Sequence, residues 1–381
     1  MPQVMPAPVI PGARLLPLAF GDLDGWAADD HAAAFAAFQA SCAALRTPPQ
    51  EICPAAAPTL RDGLAFACAA ARRLGTGQPA PALARLFFEA NFRPWQVSPE
   101  GRDGGFFTGY YEPEVEGALV PGGGFDVPVY ARPADLVMAG PGPTPNAGGA
   151  QRREGDRLVP YFDRAAIEDG ALAGRGLEIA WLRDPIDLFF MQIQGSARLR
   201  LPDGRVLRLN YDGYNGHPYL PVGRLLVERG VVPREEMSMA RIRAFMAADP
   251  AAGRALRREN RSYVFFKVLD LGAGAGAMGA QGVPLTAGRS LAVDRKLHTY
   301  GTPVFVAADL PLSAPGAAEP FRRLMIAQDT GSAIVGPARA DLFFGAGEAA
   351  GAVAGRIRHP GRFILLVPRL SAAGAGAPRA P

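Results

Sequence analysis

Three aspartates in the last part of the chain are the residues whose surroundings best suit chemistry. They are Asp294 in GRSLAVDRK, Asp329 in LMIAQDTGSAI and Asp341 in ARADLFFGAG. Each stands at the end or the start of a short run of strand-forming residues, so a sheet would hold its carboxyl group in a fixed place. A fixed carboxyl group can donate and accept protons in a reaction. The three residues therefore indicate acid–base chemistry in this region.

Asp341 is the strongest candidate for a general acid. Phe343 and Phe344 follow it closely and are expected to keep water away from its carboxyl group. Desolvation raises the pKa of a carboxyl group and keeps it protonated near neutral pH, as a general acid requires. The simpler interpretation is an aspartate at a strand end that accepts hydrogen bonds from nearby backbone N–H groups.

The other two aspartates also have structural interpretations. Asp329 precedes Thr330 and Gly331, a pattern typical of a turn in which the aspartate side chain accepts a backbone hydrogen bond. Asp294 precedes Arg295 and Lys296, which indicates an ion pair or a loop cap. The sequence leaves these interpretations open beside the catalytic one.

The run TGYYEP predicts contacts with a sugar polymer. Thr108, Tyr110, Tyr111 and Glu112 lie within it. Aromatic rings offer stacking faces and the polar groups offer hydrogen bonds, which suits a saccharide groove. The alternative is that these residues only fill a strand.

The run MQIQGS predicts a second polar surface. Gln192, Gln194 and Ser196 alternate along what reads as a strand, so they would point to one face. Amide and hydroxyl groups on that face would hydrogen-bond to sugar hydroxyl or acetamido groups. The alternative is a solvated sheet face.

Composition and motifs argue against several other function classes. The net charge is +4 without a dense basic run, which suits a polyanionic polymer, and no nucleic-acid-binding motif is present. The histidines and cysteines lack metal-ligand spacing. The glycine-rich run 272–282 fits neither a phosphate-binding loop nor a dinucleotide turn, and no G-x-S-x-G elbow occurs. We therefore expect neither a metal nor a cofactor.

The cysteines and the N-terminus leave the cellular compartment open. Cys42, Cys53 and Cys68 would leave one thiol over if two of them paired, and burial as free thiols is the alternative. The first twenty residues are broken by prolines and contain neither a convincing signal peptide nor a lipobox cysteine.

Hydrophobic patterns divide the chain into four stretches. Helices are expected at 29–45, 60–74 and 81–91, then a β-rich middle, then helices near 222–230 and 234–247, and finally short strands with close turns that suggest a compact barrel. This order predicts a mainly β fold with helices and an inserted domain. The predicted ranges are 1–112 plus 250–370 for a discontinuous barrel domain, 113–235 for the insert and 371–381 for a disordered tail. A ligand groove is expected between the two domains.

Four long motifs carry a resemblance to a known family. FFTGYYEP, FFMQIQGS, NYDGYNGH and ENRSYVFF occur in this order. Together they resemble the MltA family of membrane-bound lytic murein transglycosylases, and the C-terminal part resembles its 3D domain, which is named for three aspartates. The resemblance implies a double-ψ β-barrel domain that carries a smaller inserted β-domain.

The resemblance also implies an activity and a set of site residues. It implies non-hydrolytic cleavage of the β-1,4 bond between MurNAc and GlcNAc in peptidoglycan, which gives 1,6-anhydro-MurNAc ends. Asp341 matches the single family aspartate that acts as acid and base, and Asp329 and Asp294 match the other two. We expect Asp329 to assist catalysis electrostatically and Asp294 to contribute to substrate binding.

Two rival functions remain beside the lyase. One is a β-1,4-glycan hydrolase that uses Asp329 and Asp341 as a pair, and the other is a peptidoglycan-binding protein without catalysis. The expected partners are glycan strands and other cell-wall enzymes, with no nucleic acid, and the expected state is a monomer. The expected location is the periplasm with outer-membrane association, although no lipid-anchoring cysteine lies near Met1.

Overall fold

In this computed structural model the described residues are 9–45, 57–75, 77–138, 149–271 and 276–369. The chain falls into two compact units. Unit 1 comprises Met1–Tyr110, Met278–Gly345 and Ala352–Pro381, whereas unit 2 comprises Tyr111–Ala277 and Ala346–Gly351. The predicted tail, Cys53 and part of the glycine-rich run lie outside the described residues.

The helices within the described residues are α1 (His31–Ala44), α2 (Ala57–Arg73), α3 (Pro81–Asn91), α4 (Arg164–Glu168), α5 (Pro185–Gln194), α6 (Val222–Glu228), α7 (Met239–Ala248), α8 (Pro250–Glu259) and α9 (Gly347–Ala354). The first nine strands are β1 (Ala13–Pro17), β2 (Phe92–Pro99), β3 (Gly105–Glu112), β4 (Glu114–Ala118), β5 (Val127–Tyr130), β6 (Val137–Met138), β7 (Ala150–Glu154), β8 (Arg157–Pro160) and β9 (Glu178–Leu182). The remaining strands are β10 (Ser196–Arg200), β11 (Val206–Tyr214), β12 (Val264–Leu269), β13 (Ser290–Val293), β14 (Pro303–Leu310), β15 (Glu319–Asp329), β16 (Arg339–Ala346) and β17 (Arg358–Pro368).

Six strands close into a β-barrel in unit 1. Around the ring the order is β17, β14, β15, β13, β16 and β3, and β3 pairs again with β17. Alternate residues of these strands point inward and form an apolar interior that includes Leu291, Val306, Met325, Leu342 and Phe363. Burial of this surface favours the folded state. The closed barrel confirms the predicted fold class, and its double-ψ connection stays a prediction.

The N-terminal helices cover the outer face of part of the barrel. Phe35 and Phe38 of α1 and Phe88 of α3 pack in one apolar cluster with Phe305 and Ile364 from the strands. These helices agree with the segments expected from the sequence. Strands β13, β15, β16 and β3 of the barrel carry the residues described below.

Two covalent or ionic links fix α1. Cys42 and Cys68 form a disulfide that joins α1 to α2, so pairing, one of the two alternatives, is what the structure shows. Asp29, just before α1, accepts hydrogen bonds from Arg289 and from the backbone N–H of Leu324 on β15. The helix is therefore fastened to its neighbours at both ends.

Unit 2 contains a six-stranded sheet with the order β12, β11, β10, β4, β9 and β5, and a three-stranded sheet of β6, β7 and β8. The predicted insert ended at 235, but β12 pairs with β11, so unit 2 extends to Ala277. The buried guanidinium of Arg164 donates to the backbone oxygens of Asn260 and Ser262 and to Gln192 Oε1. Arg164 therefore links α4, α5 and the chain between α8 and β12.

No described helix combines the length and the apolar character that crossing a bilayer requires. No cluster of three or more histidine, cysteine, aspartate or glutamate side chains suited to a metal ion occurs among the described residues.

Candidate active site

The centre of the site is a lateral row of three residues on neighbouring barrel strands. Ala292 on β13 pairs with Asp329 of β15 on one side and with Asp341 of β16 on the other. Directly paired residues point to the same face of a sheet, so both aspartates lie on the face away from the apolar interior. Their backbones are two strand spacings apart, about 10 Å. Ala292 leaves the space between them open because it carries only a methyl group.

An irregularity in β15 places Asp329 on this face. Ala327 pairs with Leu291 and Asp329 pairs with the next residue, Ala292, so Gln328 is an extra residue in the strand. Ala327 points into the apolar interior. In a regular strand, Asp329 would point there too, since residues two apart share a face. The bulge therefore redirects the carboxyl group.

Asp341 is held by Thr108 of the adjacent strand. Thr108 Oγ1 donates to Asp341 Oδ1 at 2.6 Å, and Arg339 Nη2 donates to Thr108 Oγ1 at 2.7 Å. A guanidinium group has donors only, so Thr108 accepts from Arg339 and its own proton points to Asp341. Oδ1 of Asp341 is thus an acceptor, and an acidic proton would reside on Oδ2.

The electrostatic surroundings of Asp341 suit an acid. Burial raises its pKa, while the charge of Arg339 and the hydrogen bond from Thr108 lower it in part. The side chain nevertheless keeps some solvent exposure. A carboxyl group that holds its proton to higher pH and is still reachable can protonate a bound substrate.

Asp329 is surrounded by more donors than Asp341. Tyr110 Oη donates to its Oδ2 at 2.9 Å and the Ala280 N–H donates to its Oδ1 at 2.9 Å. Burial raises the pKa of Asp329 to about 6, the Asp341 charge adds to this, and the bonds from Ala280, Thr330 and Tyr110 oppose it. The pKa of Tyr110 is raised well above its ordinary value, so the hydroxyl stays a donor. Asp329 is therefore mainly ionised at neutral pH.

Two aromatic rings, those of Tyr110 and Phe343, pack against each other next to the two carboxyl groups. The rings of Tyr110 and Phe343 are 5.2 Å apart between centroids. The neighbouring Gly109 lets Ala354 and Phe344 approach the strand, because a Cβ there would lie 2.8 Å from Ala354 Cα and 2.9 Å from Phe344 Cε2. Only glycine fits at this close approach. Burial raises the pKa of both carboxyl groups, so each holds a proton to higher pH than an exposed aspartate.

Asp294 lies at the end of β13 and is engaged by the chain itself. Its Oδ1 accepts from the Lys296 N–H at 3.0 Å and its Oδ2 accepts from the Gly336 N–H at 2.9 Å. The nearby ring of His298 donates from Nε2 to the Pro337 oxygen at 2.8 Å. This matches the loop-cap alternative of the sequence analysis. Asp294 fixes the turn that leads into the strand of Asp341, and its predicted contact with substrate stays a prediction.

Glu112 in unit 2 is part of a buried ion cluster. Its carboxylate is 1% exposed and accepts from Arg198 Nε at 2.7 Å and from Arg208 Nη2 at 3.0 Å. These partners come from β10 and β11, so the cluster joins Glu112 to two strands within unit 2. This geometry gives Glu112 a structural role, and its predicted contact with substrate stays a prediction.

The prediction of a strand for MQIQGS was wrong. Residues Pro185–Gln194 form α5, whose N-cap Asp184 accepts from the Ile186 N–H and whose C-cap Gly195 has a φ of 80°. The Asp-Pro start and the glycine stop were signals of a helix in the sequence. On a helix Gln192 and Gln194 point to different sides, so the predicted row of polar groups does not form.

Each member of that run has a different environment. Gln192 is buried, accepts from Arg164 and donates to the Val264 oxygen. Gln194 Oε1 accepts from the Tyr111 N–H at 3.0 Å, which fixes the backbone of Tyr111. Ser196 is buried at the start of β10, where it pairs with Asn210. Binding of substrate by these residues stays a prediction.

Two contributors to the site were missed from the sequence. Arg339 precedes Asp341 by two positions, but only pairing of β16 with β3 shows that it reaches Thr108. The Ala280 backbone N–H lies in the glycine-rich run 272–282, and a backbone donor leaves no signal in residue types. The long motif NYDGYN carries a buried residue instead, since Asn215 bonds to the backbone of Phe162, Arg261 and Tyr263.

Family models match most of the barrel and of unit 2. The MltA specific insert domain matches residues 106–267, and the 3D domain matches residues 289–367. Asp294, Asp329 and Asp341 all lie within the second match. The two models follow one another in the order expected from the motifs.

Known proteins and structures are similar to this chain. Membrane-bound lytic murein transglycosylase A of Vibrio cholerae is 36% identical over 261 residues, which cover 67% of this chain and 63% of that protein. The chain thus spans less than two thirds of that relative. A membrane-bound lytic murein transglycosylase structure from Agrobacterium tumefaciens is 40% identical with a TM-score of 0.82, covering 93% of this chain and 98% of the other. MltA of Escherichia coli with bound chitohexaose is 28% identical with a TM-score of 0.65, covering 95% and 93%.

Proposed function

The chain belongs to the MltA family of lytic murein transglycosylases, and on that premise we propose that it cleaves peptidoglycan glycan strands without consuming water. The bond is the β-1,4 linkage between MurNAc and GlcNAc. The product is a strand that ends in 1,6-anhydro-MurNAc. Asp341 is the acid and the base of this reaction.

The reaction needs one carboxyl group because the substrate supplies its own nucleophile. Asp341 gives its proton to O4 of GlcNAc while the C1–O4 bond breaks and its electron pair goes to that oxygen. The C6 hydroxyl of MurNAc then forms the C1–O6 bond, and its proton passes to the Asp341 carboxylate. Asp341 ends protonated as it began, so no water enters the balance. General acid–base help of this kind contributes about 10²–10⁴-fold.

One observation carries the assignment of the two aspartates. Asp329 accepts from Tyr110, Ala280 and Thr330, whereas Asp341 accepts from Thr108. Hydrogen bonds to a carboxylate favour its ionised form. By this count of hydrogen bonds we assign the proton of the pair to Asp341, and the nearby charge of Arg339 acts against that assignment. The charge left on Asp329 would stabilise the positive charge that develops on the sugar ring as the C1–O4 bond breaks.

A glycan hydrolase is the second candidate, because two carboxyl groups with raised pKa values share one face. In that reaction one aspartate would protonate O4 and the other would activate water. The lyase and the hydrolase would release different products when they digest purified sacculi. We expect mass spectrometry to find anhydro-MurNAc ends, each lighter by one water than a reducing end. A product with reducing-end MurNAc alone would exclude the lyase.

We infer from two observations that the protein acts in the cell envelope. The relatives named above are membrane-bound murein transglycosylases. Disulfides persist in oxidising compartments such as the bacterial periplasm, and this chain contains the Cys42–Cys68 bond. The periplasm is therefore our proposed location. Glycan strands are the proposed ligand, and a monomer suffices for the proposed reaction.

Thr108 provides a test of the Asp341 assignment. Thr108→Val removes the hydrogen bond that favours the ionised form of Asp341, so the pKa of Asp341 rises. The acid must start protonated, so activity falls as pH rises through this pKa. We expect the alkaline limb of the kcat/KM profile to move to higher pH, and the maximum rate to fall about tenfold, the scale of one hydrogen bond.

Thr108→Ser is the matched control, because it keeps the hydroxyl group. We expect its alkaline limb to coincide with that of the unaltered protein. If Val and Ser at position 108 gave the same limb, Thr108 would not act on the ionisation of the catalytic acid.

A further inference from the structure

A buried polar network lies behind Asp329 and reaches the helical segment. Ser41 of α1 and Gln328 are both fully buried. Ser41 Oγ donates to Gln281 Oε1 at 2.8 Å and accepts from Gln328 Nε2 at 2.9 Å. Gln328 Nε2 also donates to the Ala37 oxygen at 2.9 Å, and its Oε1 accepts from Ser290 Oγ at 2.5 Å. Neither Ser41 nor Gln328 takes part in the proposed reaction.

The donor and the acceptor of each hydrogen bond in this network are fixed. The Ala37 oxygen can only accept, which fixes Nε2 of the Gln328 amide on that side. Gln328 then donates to Ser41, so the Ser41 proton must go to Gln281. Networks whose members are all satisfied favour a single arrangement of the groups that they join. This network therefore specifies where Gln281 lies relative to α1.

Gln281 belongs to a tight turn that carries the donor to Asp329. The 279–283 turn is closed by bonds from the Gly279 N–H to the Val283 oxygen and from the Gly282 N–H to the Gly279 oxygen. The Gln281 N–H donates to the Gln328 oxygen at 3.0 Å. Within this turn the Ala280 N–H points to Asp329 Oδ1 at 2.9 Å. Gln281 thus binds α1 with its side chain and β15 with its backbone.

We propose that Ser41, Gln281 and Gln328 are positioning residues that hold the Ala280 N–H against Asp329 and so keep Asp329 ionised during catalysis. The proposal rests on the function proposed above for the role of that charge. The Cys42–Cys68 disulfide follows Ser41 directly in the chain and anchors the helix from which the network begins. Ser41, Gln281 and Gln328 all lie within unit 1.

The expected effect follows from the groups that face Asp329. These are Tyr110 from β3 and Asp341 from β16, with Tyr300 acting on Tyr110. The N–H of Ala280 lowers the pKa of Asp329 against the effect of burial. If the 279–283 turn loosens, this donor is lost and the pKa of Asp329 rises. The ionised fraction at neutral pH then falls.

The test uses Gln281→Met, because Gln281 is partly exposed and its replacement should not prevent folding. The pKa of Asp329 is read from the ¹³C carboxyl signal of labelled protein, assigned by its absence in Asp329→Asn. We expect the pKa to rise by about one unit. The proposed reaction requires ionised Asp329, so activity is lost as pH falls through its pKa. The acidic limb of the kcat/KM profile should therefore move to higher pH by a similar amount. Ser41→Ala should act in the same direction.

Gln96→Met is the matched control, since Gln96 lies on β2 and accepts from Arg362, away from the network. It should leave the Asp329 signal unchanged. An Asp329 pKa that stays the same in Gln281→Met and in Ser41→Ala overturns the proposal, whatever the product of the enzyme. A raised pKa together with reducing-end products would instead leave the positioning of Ala280 intact and overturn the lyase function.

Discussion

Asp341→Asn is expected to lower the rate of murein cleavage by about 10²–10⁴-fold, the usual contribution of general acid–base catalysis. Asparagine keeps the volume of the side chain and an oxygen that can accept from Thr108. It cannot give a proton to O4 or receive one from the C6 hydroxyl. The measurement is the release of soluble muropeptides from sacculi at substrate concentrations well below saturation.

The same variant should fold normally. Burial raises the pKa of Asp341 because the site disfavours a negative charge. Asparagine is neutral, so the variant avoids the cost of burying that charge. Thermal unfolding should therefore occur at the same or a slightly higher temperature. Asp309→Asn is the matched control, because Asp309 lies on β14 of the same barrel and pairs with Arg322 on the exposed surface. A variant at 341 that kept more than about a tenth of the activity would remove Asp341 from the mechanism.

Glu112→Gln is expected to destabilise the protein by about 3–5 kcal/mol, the cost of removing one partner from a buried ion pair. The carboxylate is nearly inaccessible and faces two guanidinium groups, from Arg198 and Arg208. Glutamine would remove the negative charge that faces both groups, and Arg198 would keep Glu114 as a partner. Denaturation by urea, followed by circular dichroism, measures the change. The sequence predicted a substrate contact here, which would instead raise KM and leave stability unchanged.

Glu116→Gln is the control for this experiment. Glu116 lies on the neighbouring strand and pairs with Arg183, but 68% of its side chain is exposed. Exposed ion pairs contribute between zero and about 1 kcal/mol, so this change should be small. Equal losses at positions 112 and 116 would contradict the structural role of Glu112.

Local sequence patterns predicted most helices and strands well. The domain boundary and the arrangement of the site depend on pairing between strands that are distant in sequence, which local patterns do not show. The apolar spacing placed α1 within two residues of its observed bounds, because a helix depends on contacts three or four residues apart. The order of helices and strands also predicted a barrel interrupted by an insert. The end of that insert was misplaced because the pairing of β12 with β11 cannot be read from either strand alone.

The site shows the same division. Asp341 was singled out from its apolar neighbours, and burial does raise its pKa. The bulge at Gln328, which turns Asp329 toward Asp341, depends on register with β13 and leaves no pattern in the residues. The prediction for Gln192 and Gln194 failed because alternation over six residues was weighed above the Asp-Pro start and the glycine stop of α5. The burial of a charged residue such as Glu112 cannot be predicted from the sequence, because it depends on the arginines that pair with it from other strands.

Digestion of sacculi in ¹⁸O-labelled water tests the central claim most directly. If the C6 hydroxyl of MurNAc is the nucleophile, the new ends carry no ¹⁸O and are anhydro sugars. Incorporation of one ¹⁸O atom at C1 of each new end would show that water attacks instead, and would contradict the account.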